Sequence, residues 1–360
     1  MPHQPLSFCL ELSHHRWLYA ESPAAGVARV VELARLADEA GLDSIWVSED
    51  TEAWDAFAVL GALARETARI RLGTGVVNPF HRHPNLIAAS VATLDHLSGG
   101  RAFLGLGRGQ PEWYERALGV DADAPLARLD QTFDLLHQWW HAPHRATSDG
   151  PWQIREWERT INPLQTPPPI YLAAVGPKAL KLAGKRADGV LFNELSSVTF
   201  MSEAIATVRR AAADAGRDPE RLAFFARVGL MVTDNPEPVL QRRKNVIAMI
   251  HTLPGMDRLI QTPDFDVPAI MTEVRRLMRT EDTLAAGGGF ADLRRAGDID
   301  AARAAIPTEL VARLAVVGSA QIVRQRLAEL TRIGVTHVFV SGADMPREGW
   351  SALLDRIRPG

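Results

Sequence analysis

The tightest constraint in this 360-residue chain is a rhythm in which short apolar runs alternate eight times with longer stretches of helical period. Residues 6–12, 44–47, 70–77, 102–106, 170–174, 189–193, 223–232 and 336–341 read as strands. Segments 27–40, 55–68, 84–97, 126–141, 178–186, 200–215 and 320–333 read as helices. In the first of these, Val27, Val30, Val31, Ala34 and Ala37 recur at the spacing of one helix face, and Gly41 follows where a C-terminal cap is needed. Strands that each lead into a helix must lie parallel, with the helices covering the sheet. Eight such units predict an α/β fold, a (β/α)8 TIM barrel. A doubly wound sheet is the alternative. Its dinucleotide fingerprint is missing, because Gly105-Leu106-Gly107-Arg108-Gly109 does not fit G-x-G-x-x-G and follows only the fourth strand.

A barrel needs about 250 residues, so the chain carries a surplus. One part lies after the fourth strand, over 143–168, where Pro143, Gly150, Pro151, Pro163 and Pro167-Pro168-Pro169 predict a loop with a short hairpin. The other lies between the seventh and eighth strands. There, helical patterns near 239–252, 267–279 and 300–305 surround the break Gly287-Gly288-Gly289. We expect one domain over 1–360, with 234–310 as a helical insertion within it.

Composition removes several function classes. Forty basic against 43 acidic residues give a net charge of −3, without the basic excess of a nucleic-acid binder. The single cysteine, Cys9, rules out an intramolecular disulfide framework and any multi-cysteine metal site. No apolar run approaches the ~18 residues of a membrane span. No basic start followed by an apolar stretch marks a signal peptide, so a cytoplasmic protein is expected.

Barrel chemistry sits at the C-terminal ends of the strands. Those ends carry Ser13-His14-His15, Glu49-Asp50, Gly75-Val76-Val77-Asn78, Gly107-Arg108-Gly109-Gln110, Ala174-Val175-Gly176, Asn193-Glu194 and Ser341-Gly342. His81-x-His83 has metal-ligand spacing, but the fifth and sixth strand ends offer Ala174 and Asn193 rather than further ligands. No metal is expected, and His83 reads as a helix-start residue. Gly107-Arg108-Gly109 lets backbone approach a ligand, with Arg108 available to an anion. Gly176-Pro177-Lys178 opens a helix, where free N–H groups and Lys178 suit a phosphate; a plain glycine turn is the alternative. Trp54 reads as core packing or as a pocket wall, and Asp50 as a helix cap or as the site's ionisable group. Gln110 can hydrogen-bond but cannot exchange a proton.

These residues together resemble a family. Gly73-Thr74-Gly75-Val76-Val77-Asn78-Pro79, Arg82-His83-Pro84, Thr93 through Arg101, Leu104-Gly105-Leu106-Gly107, Ala173 through Leu180, Ala187-Asp188-Gly189 and Val317-Gly318-Ser319 stand in the order found in luciferase-like flavin-dependent oxidoreductases. The resemblance spans nearly the whole chain. It is strongest to the branch that uses the deazaflavin coenzyme F420, which includes methylenetetrahydromethanopterin reductases and F420-dependent sugar-phosphate and alcohol dehydrogenases.

The resemblance implies a coenzyme ring lying across the strand ends and a non-prolyl cis peptide at Gly75–Val76 backing it. It assigns coenzyme contacts to Glu49, Gly75, Val76, Asn78, Gly107, Arg108, Gly109, Ala174, Val175, Gly176, Pro177 and Lys178. It places Asp50, Trp54 and Gln110 at the reacting centre. Sugar-phosphate dehydrogenases have His where this chain has Asp50, Glu where it has Gln110, and another Glu at Ser13. Their phosphate-binding lysine is absent from Asn193-Glu194-Leu195-Ser196-Ser197. The expected reaction is hydride transfer between F420 and a small, uncharged or partly apolar substrate, walled by Trp54, Phe80 and Trp113. FMN-dependent monooxygenation and ligand binding without catalysis are the alternatives. The family also implies a homodimer or larger homo-oligomer.

Overall fold

The computed structural model of the protein describes residues 5–12, 22–51, 54–110, 114–121, 123–341 and 349–359. Strands β1 (Ser7–Leu12), β2 (Ser44–Val47), β3 (Arg71–Thr74) and β4 (Ala102–Leu106) pair in parallel in chain order. The antiparallel hairpin of β5 (Arg145–Asp149) and β6 (Gln153–Glu158) then stands apart from the sheet. The barrel resumes with β7 (Ile170–Ala173), β8 (Gly189–Leu191) and β9 (Ala223–Val232). After the short β10 (Val317–Gly318), β11 (His337–Ser341) inserts between β9 and β1 and closes the ring. The TIM barrel expected from the eightfold rhythm is therefore present, and so is the hairpin.

Strand alternation explains what fills it. Cys9, Trp46, Phe103, Tyr171, Leu191, Phe225 and Phe339 point inward and form one buried cluster. The Trp46 ring lies 4.5 Å from Phe103 and 4.7 Å from Phe225, so the centre is a packed plug rather than a pore. Neighbouring residues such as Phe8, Leu10, Ile45, Leu104, Val190 and Phe224 point outward and pack under the helices. A separate cluster runs through the insertion, from Leu240 and Ile247 to Val311 and Leu314, and takes in Leu195 from the turn after β8.

Element ends differ from the expected ones for local reasons. The first helix, Pro23–Glu39, starts four residues early because Ser22 caps it, accepting from the Ala25 N–H at 3.1 Å, with Pro23 in the first turn. β3 ends at Thr74; the Gly75–Val76 peptide that follows is cis, and Val77 beyond it bridges to Leu106. His83 caps the helix Pro84–Ser98, its ring accepting from the Asn85 N–H at 3.2 Å. The insertion also holds short helices at Thr280–Ala285, Phe290–Ala296 and Thr308–Leu314 that hydrophobic period alone did not resolve.

The N-terminal end of the barrel interior is closed by charge. Arg71 pairs with Asp43 and donates to the Tyr171 hydroxyl at 2.8 Å, and His337 lies 3.6 Å from Asp43. Burial pushes the His337 imidazole down to about 4, with Arg71 adding to the shift and Asp43 opposing it. Burial works against the Asp43 carboxylate, yet Arg71 and His337 hold it below its ordinary range. The unfolded chain takes up a proton at His337 near pH 6.5, whereas the folded chain resists until about 4. His337 therefore contributes stability above the unfolded value that is lost as pH falls from about 6.5 towards 4. Urea midpoints should drop across that window, and His337→Gln should flatten the drop. An unchanged slope in the variant would assign the acid sensitivity to other groups.

Candidate active site

The C-terminal ends of β2, β3 and β4 are laced together by backbone. Gly75 N–H donates to Val47 O at 2.7 Å, Val77 N–H to Gly105 O at 2.9 Å, and Gly107 N–H to Val77 O at 2.9 Å. Half-buried Val76 and Ala173 rest on the aromatic plug. Gly107 lies between them: a Cβ there would stand 2.6 Å from Val76 Cγ2 and 3.5 Å from Ala173 Cβ. These small groups form a low apolar floor.

Glu49 and Asp50 rise at one side. Arg82 grips Glu49 with Nε at 2.9 Å and Nη2 at 2.7 Å, and also pairs with Asp55. Burial raises the Glu49 carboxyl, and Asp55 and Asp50 add to this against the pull of Arg82. Half-buried Asp50 accepts from the Ser48 hydroxyl at 3.2 Å. The helix Ala56–Glu66 is capped by Asp55 rather than by Asp50. Burial lowers the His81 imidazole although Asp50 opposes it, and His81 Nε2 is buried with no hydrogen-bond partner among the described residues. Trp54 is half-buried against the main core. Gln110 is half-buried at the end of the β4 loop.

Opposite them, Gly176 begins the helix Pro177–Arg186 with no side-chain cap. The first-turn N–H groups of Lys178 and Ala179 lie outside the intrahelical ladder, and the Lys178 side chain is exposed. Arg258, from the insertion turn Asp257–Ile260, donates to the carbonyl of Val175 in this same loop. An uncapped helix start with two nearby cations fits an anionic tail, and the flat floor beside it fits a planar ring. Among the described residues, no group of three His, Cys, Asp or Glu side chains is placed to hold a metal ion.

The structure places the other expected site residues as follows. Asn78 is 2% exposed, and its Oδ1 accepts from the N–H groups of Phe80 and His81, so its carbonyl holds the turn. Ala174 is 1% exposed and points outward into the helix layer, because alternation turns Ala173 inward. Gly109 has φ +70°, and a Cβ there would strike the Tyr114 hydroxyl, so packing as well as ligand access calls for glycine. Exposed Arg108 uses its carbonyl to accept from Tyr114. Phe80 is 5% exposed and stacks on Tyr114 at 4.8 Å, which makes it support rather than an open wall. Ser13, His14, His15, Trp113 and Gly342 lie outside the described residues.

Three charged residues escaped the sequence reading. Arg258 had no local signal, since only the insertion's fold brings it to Val175. Glu11 and Arg227 did have one: each is a charge at an inward position of an apolar strand. Arg227 Nη2 lies 3.0 Å from Glu11 Oε1 and donates to Gly75 O at 2.9 Å.

Comparison with known proteins agrees with this geometry over the length of the chain. The luciferase-like monooxygenase model matches residues 7–337. The chain belongs to that family. A 5,10-methylenetetrahydromethanopterin reductase of Methanolobus tindarius is 29% identical over 88% of this chain and 90% of its own length. A putative coenzyme F420-dependent oxidoreductase of Mycobacterium tuberculosis is 30% identical, covering 86% of this chain and 89% of its own length. Among solved structures, the coenzyme F420 dependent tetrahydromethanopterin reductase of Methanopyrus kandleri superposes with a TM-score of 0.76 at 21% identity. That match covers 98% of this chain and 97% of the reductase. The luciferase-like barrel is thus shared with proteins whose names specify F420.

Proposed function

We propose that this luciferase-like protein is a coenzyme F420-dependent oxidoreductase acting on a small, uncharged organic substrate. The observation that carries the reading is the uncapped Gly176–Lys178 helix start, with Arg258 beside it and the Val76, Gly107 and Ala173 floor adjoining it. Similarity to a relative named as a putative coenzyme F420-dependent oxidoreductase, over more than four-fifths of the chain, supports it. The coenzyme, when bound, supplies the hydride acceptor or donor. Lys178 and the Gly176 helix start would hold its anionic part, and the Val76, Gly107 and Ala173 floor would lie against its ring. Asp50 exchanges the substrate's proton. The substrate carries no phosphate on this reading, because Asn193–Ser197 includes no cation and Glu194 there is itself paired with Arg243. Residues 234–310 serve as a docked insertion of the one barrel domain, bringing Arg258 to the tail site. Self-association into a dimer or larger oligomer is part of the same proposal, and sedimentation at working concentration tests it.

Titration of the purified protein with F420 and with FMN decides the coenzyme. Saturable F420 binding is expected; tight FMN binding with no response to F420 would make the protein a flavin monooxygenase instead. Lys178→Met should weaken F420 binding about three- to tenfold and reduce its salt dependence, because a point charge on an exposed anion is screened by salt. An unchanged salt slope would remove Lys178 from the tail site.

A further inference from the structure

One charge pair lies inside the barrel mouth and is unassigned by the reading above. Glu11 is the last inward position of β1, directly above Cys9 in the plug. Arg227 is the inward position of β9 above Phe225. Their side chains are 19% and 17% exposed, so neither is free in solvent. Arg227 Nη2 serves both Glu11 Oε1, at 3.0 Å, and Gly75 O, at 2.9 Å. Its Cζ lies 5.4 Å from the centre of the Phe339 ring. Its Nε is buried, with no hydrogen-bond partner among the described residues. A guanidinium in a barrel interior is costly to desolvate, and core packing would be served as well by an apolar side chain. This one reaches across the mouth from β9 to the turn after β3, the turn that supplies the floor.

We propose that Arg227, held by Glu11, is a positioning residue of the coenzyme site: it fixes the Gly75 carbonyl and sets the charge under the floor, so that the site distinguishes the coenzyme's two redox forms. The inference rests on the F420 reading above. Hydride transfer to the deazaflavin breaks a substrate C–H bond and forms one at C5. It carries two electrons and one proton, and so adds one negative charge to the ring while the substrate is oxidised. A fixed cation beside the floor favours the form with the added charge, and a fixed anion disfavours it. Arg227 and Glu11 therefore pull the preference in opposite directions. Other ionised groups in the mouth, such as Arg82 with Glu49 and Asp55, are paired among themselves on the β2 and β3 side.

The test is the ratio of dissociation constants for oxidised and reduced F420, measured by titration without substrate, for the whole protein and its variants. Arg227→Met should weaken reduced coenzyme about tenfold more than oxidised, the scale of one screened charge at close range. Glu11→Gln should move the ratio the other way. Arg227→Lys keeps the charge but not the fork; it should weaken both forms while holding the ratio near that of the wild type. Thermal unfolding checks that each variant is folded, and the Glu11→Gln shift carries the test if the methionine variant is not. Equal weakening of both forms in Arg227→Met and Glu11→Gln overturns the inference, because that is what loss of packing alone does. A wild-type protein that binds neither form overturns the F420 reading and this inference with it. Wild-type binding of both forms, with a ratio that no variant changes, overturns the inference alone.

Discussion

Asp50→Asn is expected to lower turnover by about a hundredfold or more, with F420 affinity unchanged within about twofold, because general acid–base groups contribute on that scale. Oxidising an alcohol or reducing a carbonyl moves a proton as well as a hydride, and among the described residues the strand ends offer few groups able to take it. Glu49 is committed to Arg82 through two donors. Gln110 cannot exchange a proton. His81 is kept towards its neutral form by burial, and it packs edge-on against Tyr114, with ring centres 5.6 Å apart. Asp50 is half-buried at the end of β2, accepts from Ser48, and can exchange a proton where Gln110 cannot. Steady-state rates and the pH profile of kcat are the measurements. A variant with wild-type turnover and an unaltered profile would move the proton to another carrier, ordered water included. Loss of F420 binding along with rate would instead mark Asp50 as a coenzyme contact.

Gly105→Ala is the substitution expected to cost the fold most. Gly105 sits inside the barrel, where its N–H donates to Thr74 Oγ1 at 3.1 Å and its carbonyl accepts from that hydroxyl at 2.7 Å. A Cβ would be driven into the Thr74 carbonyl and would lie 3.0 Å from the Trp46 ring. Backbone and a packed tryptophan cannot retreat as a flexible side-chain end does. Overpacking of this kind costs about 3 kcal/mol or more. Urea unfolding and soluble yield report it, with Gly176→Ala as the matched control. At Gly176 nothing lies within 4 Å of an added Cβ and φ is −74°, so the control should unfold like the wild type. A Gly105→Ala loss under about 1 kcal/mol would mean that β3 and β4 separate more easily than their hydrogen bonding indicates.

The glycines show how far the sequence could be read. The sequence marks Gly107 and Gly109 as open to a ligand and Gly105 only as part of a glycine-rich run. Each turns out to make room for a protein neighbour: Thr74, Val76 and Tyr114 respectively. Spacing shows that a Cβ is missing but not what takes its place. Ala174 illustrates a related point: its side chain faces the helix layer, and which of two adjacent residues faces inward depends on strand register. Gly176 and Pro177 were readable because a helix start is a local event, governed by which N–H groups the next turn leaves free.

The sequence by itself determined the barrel, the positions of its strands and most helix starts. Hydrophobic period and capping act over a few residues, and eight repeats of one unit leave little choice of architecture. The Gly176–Lys178 and Glu49–Asp50 strand ends followed from the same local order. Only the tertiary structure decided which charges meet. Arg258 reaches Val175 across 83 positions and Arg227 reaches Gly75 across 152. Such pairs depend on barrel closure and on how the insertion docks, and no local pattern along the chain encodes either.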